Sequence, residues 1–377
     1  MSYRPVSFPR HQRDELLHSL RKNVGQYFKE NGIEIYGDYR MYLKTFLMTA
    51  MYFVPYGLMV SGIISSPWAV FACWTVMGFG VAGIGMGVMH DANHGSYSKN
   101  PTVNRWVGYI INVVGGLALN WKIQHNKLHH SFTNVEGHDE DIAPPPFLRF
   151  CPHEKRYEAH RFQHLYAWFF YGLMTFAWVT IKDFRQLFSF KSRGLLGRQA
   201  KDFPFLIGKT IGIKILYWAY AFVIPLIFVD VPVWLTIVGF LFMHFIAGVV
   251  MGSIFQLAHV MPSTEFPQAN DENQLAYQFA DHQLRTTNNF APDNIILNWY
   301  VGGLNYQVEH HLFPNICHIH YPKIAPIVKQ TAEEFGVPYN SVPTLGAALK
   351  YHTQMLYQLG HQDPPVLVPL EEQKEAV

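Results

Sequence analysis

Charge is what this chain has little of. Only 15% of its 377 residues are Asp, Glu, Lys or Arg, against roughly 25% in an average soluble domain. That shortage excludes an extended charged array, a coiled coil and a disordered polyelectrolyte. The formal net charge is +2, so no basic field supports a nucleic-acid partner. Cysteine is scarce too. Cys73, Cys151 and Cys317 are too few and too scattered for a disulfide framework or a cysteine zinc site. Met1–Arg13 is polar and basic without an apolar core, so no cleavable signal peptide is expected.

The basic residues are also missing from particular places. No Lys or Arg occurs between residues 45 and 98, and Lys214 alone occurs between 210 and 257. These gaps hold four apolar runs, residues 45–66, 68–89, 211–229 and 233–257. A membrane-crossing helix needs about 20 apolar residues at 1.5 Å each, and all four qualify. The alternative is a pair of helical hairpins buried in a large soluble core. The short joins around Pro67 and Asp230–Pro232 lack Lys and Arg, whereas the flanking segments carry nearly all of them. The positive-inside rule then places the N-terminus, residues 90–210 and the chain from 258 in the cytoplasm.

The fold expected is therefore an all-α integral membrane protein, with four transmembrane helices as two hairpins and a cytoplasmic helical domain holding a two-metal site. Residues 1–44 are an N-terminal cytoplasmic segment and 45–345 the main domain, cytoplasmic over 90–210 and 258–345. Residues 346–377 are a tail, irregular around Pro364, Pro365 and Pro369. Leu16, Leu20, Val24 and Phe28 predict an amphipathic helix, lying on the membrane or packed on the cytoplasmic domain. Trp106–Leu119 and Leu165–Ile181 are short for spanning and predict interfacial or core helices.

What the chain has in excess is histidine, 20 residues in all. Three compact groups stand out: His90 with His94, then His125 with His129 and His130, then Gln307 with His310 and His311. Residues i and i+4 share a helix face, so His90 and His94 can approach one metal. His125 and His129 repeat that spacing, with His130 about 100° round the helix. The second run ends one residue before His90, and the fourth ends two before His259. Both histidines thus emerge on one membrane face, where the other groups lie. Nine candidate ligands suit two metals better than one, and a nearly all-imidazole set suits iron, zinc or copper. Asp91, Asp139, Asp141 and Glu309 are placed to hold ring N–H groups. His244, midway along the fourth run, is polar at membrane depth. It lies 15 residues from His259, roughly 22 Å along a helix, too far for the same site.

At these residues the chain resembles the integral-membrane fatty acid desaturases with three histidine boxes. The Gln-first box Gln307–His311, followed by Leu-Phe-Pro and later His320-Tyr-Pro, resembles the front-end, linoleoyl-CoA-type branch. The resemblance covers roughly residues 40–345. It implies a centre of two iron ions, use of O2, and insertion of a double bond into a fatty acyl chain carried on CoA or a lipid. It makes His90, His94, His125, His129, His130, His310 and His311 iron ligands, with Gln307 closing the third box and His259 matching an extra ligand. No His-Pro-Gly-Gly haem motif occurs in the sequence. Electrons are therefore expected from a separate carrier, ferredoxin or cytochrome b5 with its reductase. Phe255 stands where the animal stearoyl-CoA branch has an asparagine, so no water-mediated ligand is expected there.

The resemblance implies that the protein's task is placement of the chain and exclusion of water. The acyl tunnel is expected near Trp121, Trp299 and Tyr306. Gly78, Gly80, Gly83, Gly85 and Gly87 either pack helices closely or leave room for a chain. The setting is a bacterial inner membrane or the endoplasmic reticulum. A related di-iron hydroxylase of a lipid, alkane or carotenoid shares the same histidine chemistry. A non-enzymatic membrane metal protein is the rival from another class, and a transporter would place its ligands at mid-membrane.

Overall fold

Long apolar helices begin where the chain supplies a capping group or a proline. Asp38 accepts from the Arg40 backbone N–H and starts Tyr39–Val60, and Pro67 starts Pro67–Ile84. The computed structural model describes residues 6–9 and 14–362; the prolines at 364, 365 and 369 lie outside them. Among the described residues, four helices are long and apolar enough to cross a membrane: Tyr39–Val60, Pro67–His94, Gly197–Phe228 and Val233–His259. They turn apolar side chains outward. Phe46, Val54, Ile215, Leu216, Ile227 and Trp234 are all exposed, a surface that a water-soluble core would hide and that lipid covers. The chain is an all-α integral membrane protein. Among the described residues the strands are one short parallel pair, Asn289–Phe290 with Ser341–Val342.

The chain divides into two units, one of residues 38–123 and 168–253, the other of the described residues within 4–37, 124–167 and 254–377. In the first unit the second span is the most buried of the four, and its glycines show why. A Cβ on Gly78 would sit 2.7 Å from the Met243 carbonyl, and one on Gly80 would sit 2.9 Å from the Tyr52 backbone nitrogen. Those two glycines bring helix backbones together. Gly85 instead faces the Met251 side chain and a cavity. Close helix packing, one of the two purposes open to the run in sequence, is thus met at Gly78 and Gly80.

Lys214, the lone basic residue of the third span, is buried against Asp183. Its ammonium also donates to the carbonyls of Gly115 (2.6 Å) and Trp178 (2.8 Å). Asn120 and Trp178 donate to the same carboxylate at 3.2 and 3.3 Å. Every donor of the ammonium is satisfied, as a charge at this depth requires. The predicted helix over Trp106–Leu119 is broken into Pro101–Gly108, Ile110–Val113 and Ala118–Trp121. That over Leu165–Ile181 runs as Gln163–Ala177 into a π-turn at Trp178–Lys182.

In the second unit, helix Glu15–Asn31 buries Leu16, Leu20, Val24 and Phe28 in a core with Ile324 and Val328. Those four side chains pack on protein, so the membrane-lying alternative is set aside. Residues 346–361, assigned in sequence to a tail, lie in helix Leu345–His361, which Thr344 caps through the Ala347 N–H. His352 on that helix is fully buried, with Nδ1 at 2.8 Å from the Val260 carbonyl. Burial lowers its pKa from 6.5 to about 4. A histidine held neutral contributes stability above its unfolded pKa and loses it as pH falls toward the folded value. Going from pH 7 to pH 5 should therefore cost about 2 kcal/mol through this side chain. Thermal melts of the wild type and His352→Asn across that range test this, with the variant expected to show the smaller pH dependence.

Candidate metal centre

The second and third histidine groups both lie in the second unit. The segment Lys122–His129 is a π-helix, not the α-helix its spacing predicts. The His130 N–H bonds the His125 carbonyl at 3.0 Å, five residues back. A π-turn is wider than an α-turn, and such turns cluster at functional sites. Here it brings His130 round toward His125 instead of leaving it about 100° away. His130 Nε2 lies 3.2 Å from His125 Nε2 and 3.0 Å from His310 Nε2. A second triplet is formed by His129, His259 and His311, whose ligand atoms all lie within 4.8 Å of one another. All six rings are buried.

The far side of four of these rings is tied down, and that decides which nitrogen faces inward. His129 Nδ1 sits 3.0 Å from the Asp139 carboxylate. Burial disfavours its charged form, but Asp139 and Asp141 outweigh that and raise its pKa. His311 Nδ1 donates to Gln283 Oε1 at 2.8 Å. His310 Nδ1 lies 3.2 Å from the Tyr321 hydroxyl. His259 Nδ1 donates to the Thr286 carbonyl at 3.2 Å, which leaves the lone pair on Nε2. That Nε2 is buried and makes no hydrogen bond. A buried acceptor aimed at two other imidazoles costs stability unless something binds it. The 3.0–3.2 Å spacings of the first triplet suit neighbouring ligands around one ion with bonds of about 2.1 Å. Six imidazoles with carboxylate and carbonyl backing form a donor set for a borderline metal such as iron, zinc or copper.

Helix Gln307–Leu312 carries the third group and is buried along its whole length. Glu309 points from it toward Asn289 Nδ2 and the Tyr339 hydroxyl, each at 2.8 Å. Burial pushes this carboxyl up to about 7 against those two hydrogen bonds. It anchors the helix and does not back a ring. Gln307 is buried, and its Nε2 makes no hydrogen bond. Phe255 lies 6.3 Å from the His125 ring, so that position offers no polar ligand.

His90 and His94 belong to the first unit. They follow a π-turn at Gly85–Met89 on the short helix His90–His94, which Gly95 ends at φ 82°. The two rings are 4.8 Å apart, and Trp121 packs edge-on against both, at 5.4 and 5.6 Å. Trp121 joins Met89, Ile111 and Ala118 in an apolar cluster with Trp178 beside it. Next to this cluster is a narrow cavity of about 20 Å³, with Val81, Gly85, Met89, Trp178, Thr175 and His244 among its walls. His244 is held from both sides, by the Tyr217 hydroxyl at 2.8 Å and Thr175 Oγ1 at 3.2 Å. Tyr306, expected beside a chain tunnel, packs in the core of the second unit.

Residues 65–343 match the fatty acid desaturase family. The chain is 36% identical over 344 residues to an sn-1 linoleoyl-lipid 6-desaturase of Synechocystis, covering 90% of this chain and 94% of that protein. It is 36% identical to a protein of the same name from Arthrospira platensis, covering 88% of each. An acyl-lipid (8-3)-desaturase of Physcomitrium patens is 34% identical, over 90% of this chain and 71% of that protein. The chain belongs to the fatty acid desaturase family. It is a membrane-bound, O2-dependent desaturase, and its histidine clusters are compatible with a metal site.

Among the residues backing that site, Gln283 was not foreseen from the desaturase sequence. Its Oε1 accepts from His311 Nδ1 and from Thr133 Oγ1 (2.9 Å), and its Nε2 donates to the His130 carbonyl at 3.1 Å. One amide thus ties the second histidine group to the third. Nothing in the sequence near Gln283 marks it, because its partners lie 28, 150 and 153 positions away. Gln283→Leu should weaken metal retention about tenfold, measured as metal per chain after dialysis against a chelator. Gln283→Glu keeps the acceptor for His311 and should retain most of the metal.

Proposed function

We propose that this desaturase acts on acyl chains esterified to a membrane lipid. It inserts a double bond on the carboxyl side of one already present in a linoleoyl-type chain. The relatives named for acyl-lipid and linoleoyl-lipid substrates support this reading, as does the Gln-first third histidine box. The ligands are His90, His94, His125, His129, His130, His259, His310 and His311, with Gln307 closing the set. They hold two irons on the cytoplasmic face, and electrons come from a separate carrier, ferredoxin or cytochrome b5 with its reductase. The observation that carries the reading is the pair of buried imidazole triplets, one of which contains the unpartnered Nε2 of His259. A di-iron centre there supplies the O2-dependent removal of one hydrogen from each of two neighbouring methylenes.

The chain's own residues do the rest. Asp139, Gln283, Tyr321 and the Thr286 carbonyl hold their imidazoles with Nε2 inward, so no ring must reorient during turnover. Burial of all six rings keeps water from the reacting carbons. In the first unit, Met89 and Met251 line an apolar cavity, and their flexible side chains can make way for an acyl chain. Metal analysis of the purified protein tests the ligand assignment. Two irons per chain are expected, with His129→Ala/His311→Ala losing about half. A zinc-loaded, iron-free protein purified under iron-replete conditions would overturn it.

A further inference from the structure

Helix Asp183–Ser192 mixes polar and apolar residues on both of its faces. Its buried face carries Asp183 and Gln186 beside Leu187 and Phe190. Its exposed stripe continues from Ile181 through Arg185, Phe188 and Lys191, with Ile181 50% and Phe188 59% exposed. Scattered exposed apolar residues need no explanation, but a buried acid behind an outward phenylalanine does. The acid is held by Lys214, so the ion pair fixes this helix to the third span. The pattern goes on beyond the helix. Arg198, Lys201 and Lys209 are exposed, as is Phe205 at 71%, and Lys191 lies 4.1 Å over the Phe203 ring. Residues 181–209 contain seven basic side chains (Lys182, Arg185, Lys191, Arg193, Arg198, Lys201, Lys209) against Asp183, which is neutralised internally, and Asp202.

We propose that residues 181–209, which end in the first turns of the third span, form an interfacial collar that binds anionic phospholipid headgroups. It sets phenylalanines at the acyl boundary and Arg and Lys at the phosphates. Alternating aromatic and basic side chains beside a spanning helix meet the two layers of a membrane interface, one apolar and one charged. A soluble acidic partner would account for the charges but not for Phe188 and Phe205 facing outward. The collar rests on the membrane-embedded reading of the chain and not on its chemistry. It would enrich the bilayer around the enzyme in anionic lipid, and so bias which acyl lipids reach the site.

The test needs no turnover. Wild-type protein is reconstituted in equimolar phosphatidylcholine and phosphatidylglycerol, and spin-labelled forms of each lipid are compared for the motionally restricted boundary fraction. Phosphatidylglycerol should be selected several-fold, and molar salt should abolish the preference. Arg185→Gln/Lys191→Gln/Arg198→Gln/Lys201→Gln should lower it about fivefold or more. The idea fails if the wild type shows no preference, or if the four-site variant keeps it. It also fails if that variant selects lipid normally but needs more of an acidic electron carrier, since the surface would then serve a protein. The salt arm on the wild type decides the matter even if the variant does not fold. A wild-type protein that desaturates normally yet shows no lipid selection would count against the collar alone.

Discussion

His259→Ala should reduce desaturation by more than about 100-fold while the protein still inserts and folds. Losing a residue that backs a ligand typically costs 10–100-fold, and losing the ligand itself should cost more. His259 ends helix Val233–His259, with its ring held by the Thr286 carbonyl and its Nε2 turned toward His129 and His311. Alanine keeps the helix and removes the imidazole, and with it both the inward Nε2 and the bond to the Thr286 carbonyl. Product formation in cells, normalised to protein in the membrane fraction, measures the effect. Retention of half the activity would remove His259 from the ligand set. A parallel loss of metal would separate a ligand defect from a substrate defect.

The second large effect is on stability. Lys214→Met leaves the Asp183 carboxylate buried among Asn120, Trp178 and apolar neighbours without its cation. Breaking one side of a buried pair costs about 3–5 kcal/mol, whereas replacing both partners by apolar groups is often close to neutral. Lys214→Met should therefore melt well below the wild type in detergent, and Lys214→Met/Asp183→Leu should recover most of the difference. Equal melts for the single and double variants would mean that the pair carries no net penalty when broken.

Length and charge gaps made the membrane helices legible, because a spanning helix must exclude Lys and Arg over about 20 residues. The exception, Lys214, was visible as a lone cation. Its partner was not, since Asp183 lies 31 positions away on a segment that reads as ordinary polar helix. The histidine groups were legible for the same local reason: their spacing is within one or two turns. The π-turn at Lys122–His129 was not. Periodicity assumes 3.6 residues per turn, and one extra residue in a turn leaves no compositional trace. The amphipathic pattern of Leu16, Leu20, Val24 and Phe28 showed that one face is buried, but hydrophobic spacing does not say whether lipid or Ile324 covers it. Gln283, Thr133 and the Thr286 carbonyl escaped altogether. Residues that orient ligands are chosen by geometry across long sequence distances, and a single Gln, Thr or carbonyl has no signature.

The central claim is that this chain places a new double bond in a lipid-linked acyl chain. Its most direct test is the fatty acid profile of a desaturase-poor host expressing it, resolved by lipid class, with linoleate fed and a reduced electron carrier co-expressed. The account predicts a triene whose new double bond lies between the carboxyl group and the existing pair. That product should appear first in membrane lipids and be absent with His310→Ala. An unchanged profile from correctly inserted wild-type protein, or a hydroxylated chain in place of the triene, would contradict it.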